Sequence, residues 1–125
     1  IQQTGQIIPP MADSPANQLA MQAVKFVYEN YCKPITLAST AKKLFVSPQY
    51  LSKVFKNMVG VGFSQFLSEL RLNRSAYLLT KKEQSITEIC FECGFRNLSH
   101  FLRRFKHKFD LTPSDYRKAA RTIHN

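Results

Sequence analysis

Basic and hydrogen-bonding side chains alternate with apolar ones over residues 95–109. When the stretch is plotted at about 100° per residue, one arc holds the apolar side chains of Leu98, Phe101, Leu102, Phe105 and Phe109. The opposite side carries Arg96, Ser99, His100, Arg103, Lys106 and His107. The stretch has five Lys or Arg and no acid. We therefore expect a purely cationic helix face that binds an anionic partner, although an ordinary solvated face would give the same pattern.

The elements that would position this face lie next to it in the chain. Ser85-Ile-Thr-Glu88 is a capping-box sequence and predicts the start of a short helix. Gly94 predicts its end, and Asn97 predicts the N-cap of a helix that runs to about Phe109. The apolar side of the short helix consists of Ile86, Ile89, Cys90 and Cys93. Two helices joined by a tight turn that contains Gly are typical of a helix-turn-helix unit.

An earlier copy of the pattern begins at Ile35. Ala41 matches Cys90, and Phe55-Lys56 matches Phe105-Lys106; the second copy is one residue longer in the turn. In the first copy the sequence predicts an N-cap at Ser47 and a helix that begins with Pro48. Its inward positions are Leu51, Val54, Phe55 and Met58, and its outward positions are Gln49, Tyr50, Ser52, Lys53, Lys56 and Asn57. A matched pair of basic faces favours a shared function over coincidence.

The rest of the chain predicts further helices, and we expect an all-α fold. Residues 63–81 contain no Gly or Pro and are apolar on two sides, which predicts a long linker helix packed on both. A first helix should begin after Ser14 and end before Pro34. The sequence Thr112-Pro113-Ser114-Asp115 predicts a last helix that ends near Arg121. Residues 1–14 contain Pro9-Pro10 and no helical period, and we interpret them as a linker.

The charge of the chain indicates a polyanionic partner. The formal net charge is +10, and residues 33–125 hold 17 of the 18 Lys and Arg residues. Three Cys suggest no disulfide framework, and the sequence contains no signal peptide and no apolar run long enough for a membrane span. These features lead us to expect a cytoplasmic domain. The chain begins with Ile1 rather than Met, so we also expect that it is a fragment of a larger protein.

Other classes of function fit the sequence less well. No catalytic constellation and no Gly-rich phosphate loop can be recognised, so we do not expect an enzyme. Cys90 and Cys93 could form a zinc site with His100 and His107, but the Cys pair should face inward and the His pair outward. We therefore expect no metal and no cofactor. An RNA-binding or protein-interaction module remains an alternative; because Tyr50 is the only aromatic residue on either predicted face, duplex DNA is favoured over RNA.

Three motifs resemble the AraC/XylS family of transcription regulators. They are Ile86-x-x-Ile89-x-x-x-x-Gly94-Phe95, then Phe101-x-x-x-Phe105-Lys106, then Thr112-Pro113-Ser114-x-Tyr116-Arg117. Arg71-Leu72 and Leu78-Leu79 also have the family's spacing. Ser75, Cys90 and Asp110 depart from the family's usual Ala, Ala and Gly.

The resemblance implies a seven-helix module with two helix-turn-helix subdomains. The first lobe would span residues 15–62, the linker helix 63–81 and the second lobe 82–125, with residues 1–14 leading from a missing N-terminal effector or dimerisation domain. Both second helices would enter successive major grooves of duplex DNA. The resemblance further implies a bacterial regulator, more commonly an activator, that works with RNA polymerase in the cytoplasm and is nucleoid-associated when bound.

Contact residues follow from the resemblance by position. Gln49, Ser52 and Lys53 would contact bases in the first groove. In the second groove the base contacts would be Arg96, Ser99, His100 and Arg103. The predicted contacts to the DNA backbone are Ser47, Tyr50, Lys56, Asn97 and Lys106. We expect Leu102 to be a core residue rather than a contact to a thymine methyl group.

Overall fold

A computed structural model describes residues 14–124 as seven helices, and no strand occurs in this range. The helices are α1 Pro15–Asn30, α2 Leu37–Lys43, α3 Pro48–Val59, α4 Phe63–Lys81, α5 Ile86–Glu92, α6 Leu98–Phe109 and α7 Pro113–His124. The all-α class and the predicted linker helix are confirmed. No helix in the described residues has the length and apolarity needed to cross a membrane. Of the predicted linker, only Ser14 lies inside the described residues.

Side-chain caps begin the helices where the sequence predicted. The Ser47 hydroxyl oxygen accepts a hydrogen bond from the Tyr50 amide at 3.1 Å, and Asn97 Oδ1 accepts one from the His100 amide at 2.8 Å. At Ser85 both hydrogen bonds of the capping box form with Glu88. The end predicted for α7 is wrong, because the helix continues past Arg121 to His124. No Gly or Pro follows Pro113, so nothing local stops the helix there.

The two helix-turn-helix turns have the same backbone hydrogen bonds. The Phe45 amide donates to the Lys42 carbonyl at 3.2 Å, and the matched Gly94 amide donates to the Phe91 carbonyl at 3.0 Å. Phe45 and Gly94 both have a positive φ, of 61° and 99°. The ends of α3 and α6 repeat the match, because Gly60 and Asp110 both adopt left-handed conformations. The duplication therefore extends to the backbone conformation.

The first compact unit holds the described residues up to Asn30 together with Ile35–Leu67. Its core contains Leu19, Ala20, Ala23, Val27, Ala41, Leu51, Val54, Phe55, Phe63 and Leu67. Phe55 lies at the centre, and the rings of Phe63 and Phe66 pack edge-on against it with centroid distances of 5.5 and 5.4 Å. Edge-to-face aromatic pairs add about 0.5–1.5 kcal/mol beyond area burial, so they help to fix α3 against the first residues of α4.

The second compact unit holds Tyr31–Pro34 and the chain from Ser68 onward. Its core contains Leu72, Ala76, Leu78, Leu79, Ile89, Cys90, Cys93, Phe95, Phe101 and Phe105. Phe105 repeats the position of Phe55, and its ring meets that of Tyr116 edge-on at 5.5 Å. The division between the units falls inside α4, so this helix contributes buried side chains to both cores.

Arg117 joins the start of α7 to the end of α4. Its guanidinium donates to the carbonyl oxygens of Leu79 at 3.1 Å, Lys82 at 3.1 Å and Gln84 at 2.7 Å. Carbonyls in the last turn of a helix lack intrahelical partners; Arg117 satisfies that of Leu79 and two more in the segment that follows α4. These three hydrogen bonds explain the Arg at the end of the motif Thr112-Pro113-Ser114-x-Tyr116-Arg117 in structural terms.

Candidate nucleic-acid interface

The outward side of α3 carries the first group of predicted contact residues. Gln49, Tyr50, Ser52, Lys53 and Lys56 are all exposed, and together they are called the α3 face. The buried positions of the same helix are Leu51, Val54 and Phe55. The helical period therefore separates core from surface as the sequence predicted.

The start of α3 presents few backbone donors. The Tyr50 amide is already bonded to the Ser47 hydroxyl oxygen, and Pro48 has no amide hydrogen. The Ser47 hydroxyl can still donate its own hydrogen. Side chains rather than amides are therefore the main donors at this end of the α3 face.

The outward side of α6 carries the second group. Ser99, His100, Arg103 and Lys106 are exposed, as is Arg96 in the preceding turn, and these five residues are called the α6 face. Asn97 is exposed at the N-cap, at the position that matches Ser47. The Asn97 oxygen accepts the His100 amide, which leaves its NH₂ group as a donor.

Two of the five Lys and Arg residues in 95–109 do not belong to the α6 face. Arg104 Nη2 is 3.3 Å from the Ser68 hydroxyl, and Lys108 forms an ion pair with Glu69. Both partners belong to α4, so these side chains help to fix α6 to that helix. Arg104 and Lys108 are therefore not part of the α6 face, and neither was among the outward residues that the sequence predicted.

Leu102 lies in the predicted apolar arc but is not a core residue. Its side chain is 38% exposed, whereas Phe101 and Phe105 are fully buried. The core interpretation of Leu102 is therefore wrong. At about 100° per residue, the residue lies at the margin of the apolar arc. Leu102 matches the exposed Ser52 of the α3 face, so it belongs beside the α6 face.

The second turn is held in place by a connection that sequence reasoning missed. Arg71 donates from Nε to the Tyr31 carbonyl at 2.7 Å and from Nη2 to the Lys33 carbonyl at 2.9 Å. A side chain at Gly94 would place its Cβ 2.4 Å from that Tyr31 oxygen and 2.7 Å from Arg71 Nε. Gly94 is therefore required for close approach as well as for its positive φ. The Gly was visible in the sequence, but its partners, about 20 and 60 residues earlier, were not.

Arg96 follows this turn at the rim of an open groove of about 350 Å³. The groove is also lined by Cys32, Pro34, Phe91, Gly94 and Phe95. The Arg96 side chain is exposed, and no hydrogen bond or ion pair holds it. It can therefore reorient toward a partner that approaches the α6 face.

The charges of the first unit are almost all positive. Glu29 is the only acid among the described residues of the first unit, against Lys25, Lys42, Lys43, Lys53 and Lys56. The α3 face and the α6 face contain no acid. A surface of this charge attracts a polyanion and repels cationic partners.

The structure gives no support to a zinc or thiolate site in the described residues. Burial raises the pKa of Cys90 to about 11 and that of Cys93 to about 12, so neither is an activated thiolate near pH 7. His100 and His107 are exposed. No group of three or more His, Cys, Asp or Glu in residues 14–124 could hold a metal ion.

Comparison with known proteins gives the family. A helix-turn-helix domain family matches residues 40–119, which is more than half of the chain. The C-terminal domain of AraT, a response regulator from Geobacillus stearothermophilus, is 30% identical and superposes with a TM-score of 0.80, covering 85% of this chain and 88% of that one. The chain belongs to the AraC/XylS family.

Curated relatives agree with this assignment. The transcriptional regulator YijO of Escherichia coli is 30% identical over 82% of this chain and 36% of its own length. The transcriptional activator RhaS of Citrobacter koseri is 29% identical over 78% of this chain and 35% of its own length. The chain therefore spans about a third of these AraC/XylS relatives. It is the DNA-binding domain of a transcription regulator and not an enzyme.

Proposed function

We propose that this domain binds specific duplex sequences by placing α3 and α6 in successive major grooves. The observation that carries the proposal is the match between the two exposed faces. Positions 49/99, 50/100, 53/103 and 56/106 are exposed in both copies, and each helix begins at a matched cap, Ser47 or Asn97. Two copies of one arrangement suit a duplex that repeats its groove about every 34 Å.

Base contacts are proposed for seven exposed side chains, with Arg96 at the edge of the second groove. In the first groove these are Gln49, Ser52 and Lys53. In the second groove they are Arg96, Ser99, His100 and Arg103. Gln pairs with the adenine edge, and Arg or Lys with the O6 and N7 acceptors of guanine. The exposure of Leu102 adds an apolar group that can contact a thymine methyl.

Backbone contacts are proposed for the two N-cap residues, for Tyr50 and for the matched lysines. These residues are Ser47, Tyr50, Lys56, Asn97 and Lys106. Hydroxyl, amide and ammonium groups are the usual donors to phosphate oxygens, and such contacts set the register of a protein on DNA without reading its sequence.

The role of the whole protein is proposed from its relatives. RhaS of Citrobacter koseri is a transcriptional activator, which favours activation here. An activator would act with RNA polymerase in the bacterial cytoplasm, on the nucleoid when bound, and would carry an effector or dimerisation domain outside this chain.

A mobility-shift competition tests the proposal. Labelled duplex DNA selected from a random pool should be displaced by the same unlabelled duplex at a concentration at least tenfold below that of single-stranded RNA, random duplex or polyglutamate. Equal competition by RNA, or by polyglutamate at equal charge, would contradict duplex recognition.

A further inference from the structure

Phe45, in the first helix-turn-helix turn, is unusual in two independent ways. Its side chain is 94% exposed, although Phe is among the most apolar side chains. Its φ is 61°, in the left-handed region that bulky residues rarely adopt. Single exposed apolar residues are common. At Phe45, however, both the solvent exposure of the ring and the left-handed backbone conformation are unfavourable for Phe.

The turn that holds Phe45 is well ordered by its hydrogen bonds. The Phe45 amide donates to the Lys42 carbonyl at 3.2 Å, and the Val46 amide donates to the Ala41 carbonyl at 3.0 Å. The matched bonds in the second turn, at Gly94 and Phe95, are 3.0 and 3.1 Å. The backbone therefore holds Phe45 outward in a fixed direction.

The second turn shows what lies in that direction. A Cβ at Gly94 would lie 2.4 Å from the Tyr31 carbonyl oxygen and 3.1 Å from the Cys32 Cα. A polypeptide segment thus covers the second turn at the point where the first turn carries an uncovered ring. The two turns share their hydrogen bonds. The Phe45 ring therefore projects in the direction in which the Tyr31–Cys32 segment covers Gly94 in the matched turn.

The charge beside Phe45 defines the partner further. Lys42 and Lys43 end α2 directly before the turn, and both are exposed. In the second copy the matched residues are Phe91 and Glu92, so the pair of cations belongs to the first turn alone. The only acid among the described residues of this unit is Glu29, on α1.

We propose that Phe45, Lys42 and Lys43 form a docking surface for an acidic polypeptide segment of a partner protein. The ring would enter an apolar pocket of the partner, and the two ammonium groups would pair with its carboxylates. Aromatic anchors flanked by charge are typical of protein–protein hot spots. This surface shares no residue with the α3 face and does not depend on the proposed base contacts.

Photocrosslinking in cells tests this proposal, with the whole protein produced in its native host. A photoreactive phenylalanine analogue, benzoylphenylalanine, replaces Phe45, and a second sample carries it instead of Tyr77. Tyr77 is a matched control because it is an exposed aromatic residue on α4 with Arg74 and Lys81 beside its ring. The analogue at Phe45 should give a dominant protein adduct that survives nuclease and maps to a segment of net negative charge.

Two variants check the chemistry of the adduct. Lys42→Glu combined with Lys43→Glu should reduce the adduct at least fivefold, and Lys42→Arg combined with Lys43→Arg should retain it. A nuclease-sensitive adduct would identify the ring as a DNA contact and overturn the proposal. An adduct no stronger than that at position 77, or one unaffected by charge reversal, would overturn it too.

Phe45→Asn separates docking from folding and from DNA binding. Asn tolerates the left-handed conformation, so the purified domain should unfold about 2–5 °C higher than the wild type. Its affinity for the selected duplex should stay within twofold. A lower unfolding temperature would contradict the strain at Phe45, and a tenfold loss of DNA affinity would assign the ring to DNA instead.

Discussion

Arg103 and Arg104 are neighbours on α6, but their side chains have different surroundings. Arg103 is exposed on the α6 face, and Arg104 lies 3.3 Å from the Ser68 hydroxyl of α4. The helical turn of about 100° per residue is enough to place one toward solvent and the other toward the linker helix. The pair therefore offers a matched test of base recognition.

Arg103→Ala should weaken binding to the selected duplex by about 1–3 kcal/mol and relax preference at one base pair, because a guanine edge loses its two donors. Affinity measured against a panel of single-base variants reports both effects. Arg104→Ala should leave the base preference unchanged. A uniform loss for Arg103→Ala across all sequences would reassign the side chain to phosphate.

Gly94 and Gly60 both have a positive φ, but only Gly94 has close neighbours at its Cβ position. Substituting each by Ala distinguishes the cost of a steric clash from the cost of backbone strain. Gly94→Ala should destabilise the domain by about 2–4 kcal/mol, because the new Cβ meets the Tyr31 oxygen as well as an unfavourable φ. Gly60 has a φ of 97° but nothing within 4 Å of its Cβ position, so Gly60→Ala should cost only about 1–2 kcal/mol. Urea denaturation measures both values. Equal losses would show that the Tyr31 contact is unimportant.

At the scale of elements, local signals were sufficient for most helices. Ser47, Asn97 and Ser85 cap the helices that they predict, because a cap depends only on residues within one turn. The turn between α5 and α6 was likewise visible in Gly94. The sequence did not reveal contacts to a distant element, such as those of Arg104 and Lys108 to α4, and the core interpretation of Leu102 was wrong.

Arg117 helps to attach α7 to the end of α4 through three hydrogen bonds. Arg117→Ala should destabilise the domain by about 2–3 kcal/mol, because three carbonyl oxygens lose a charged donor. The control is Arg121→Ala on the same helix, which removes an ion pair with the exposed Glu83 and should cost less than about 1 kcal/mol. Thermal unfolding compares them. Similar unfolding temperatures for the two variants would refute the structural role of Arg117.

At the scale of the whole molecule, the internal duplication was the most informative feature of the sequence. It predicted matched caps and matched exposed positions, and both are present. It did not predict the differences between the copies, such as Phe45 against Gly94, because these depend on which segments cover each turn. The residue roles on DNA stay predictions.

Matched lysines give a prediction for the whole domain. Lys56 and Lys106 are proposed phosphate contacts in different units, and each should contribute about 0.9 to the slope of log affinity against log salt. Either Ala variant should weaken specific and random DNA alike and reduce that slope by about 1, and the double variant should be additive. Titration at several salt concentrations measures this. Loss of site preference with random binding unchanged would mean that the lysine contacts bases instead.

Footprinting on the selected duplex tests the central claim most directly, when combined with sedimentation of the same complex. One protein per asymmetric site should protect two major-groove segments about one helical turn apart, roughly 34 Å. Lys53→Ala should expose one segment, and Arg103→Ala should expose the other. A single protected segment, an obligate complex of two proteins, or loss of the same segment in both variants would contradict the account.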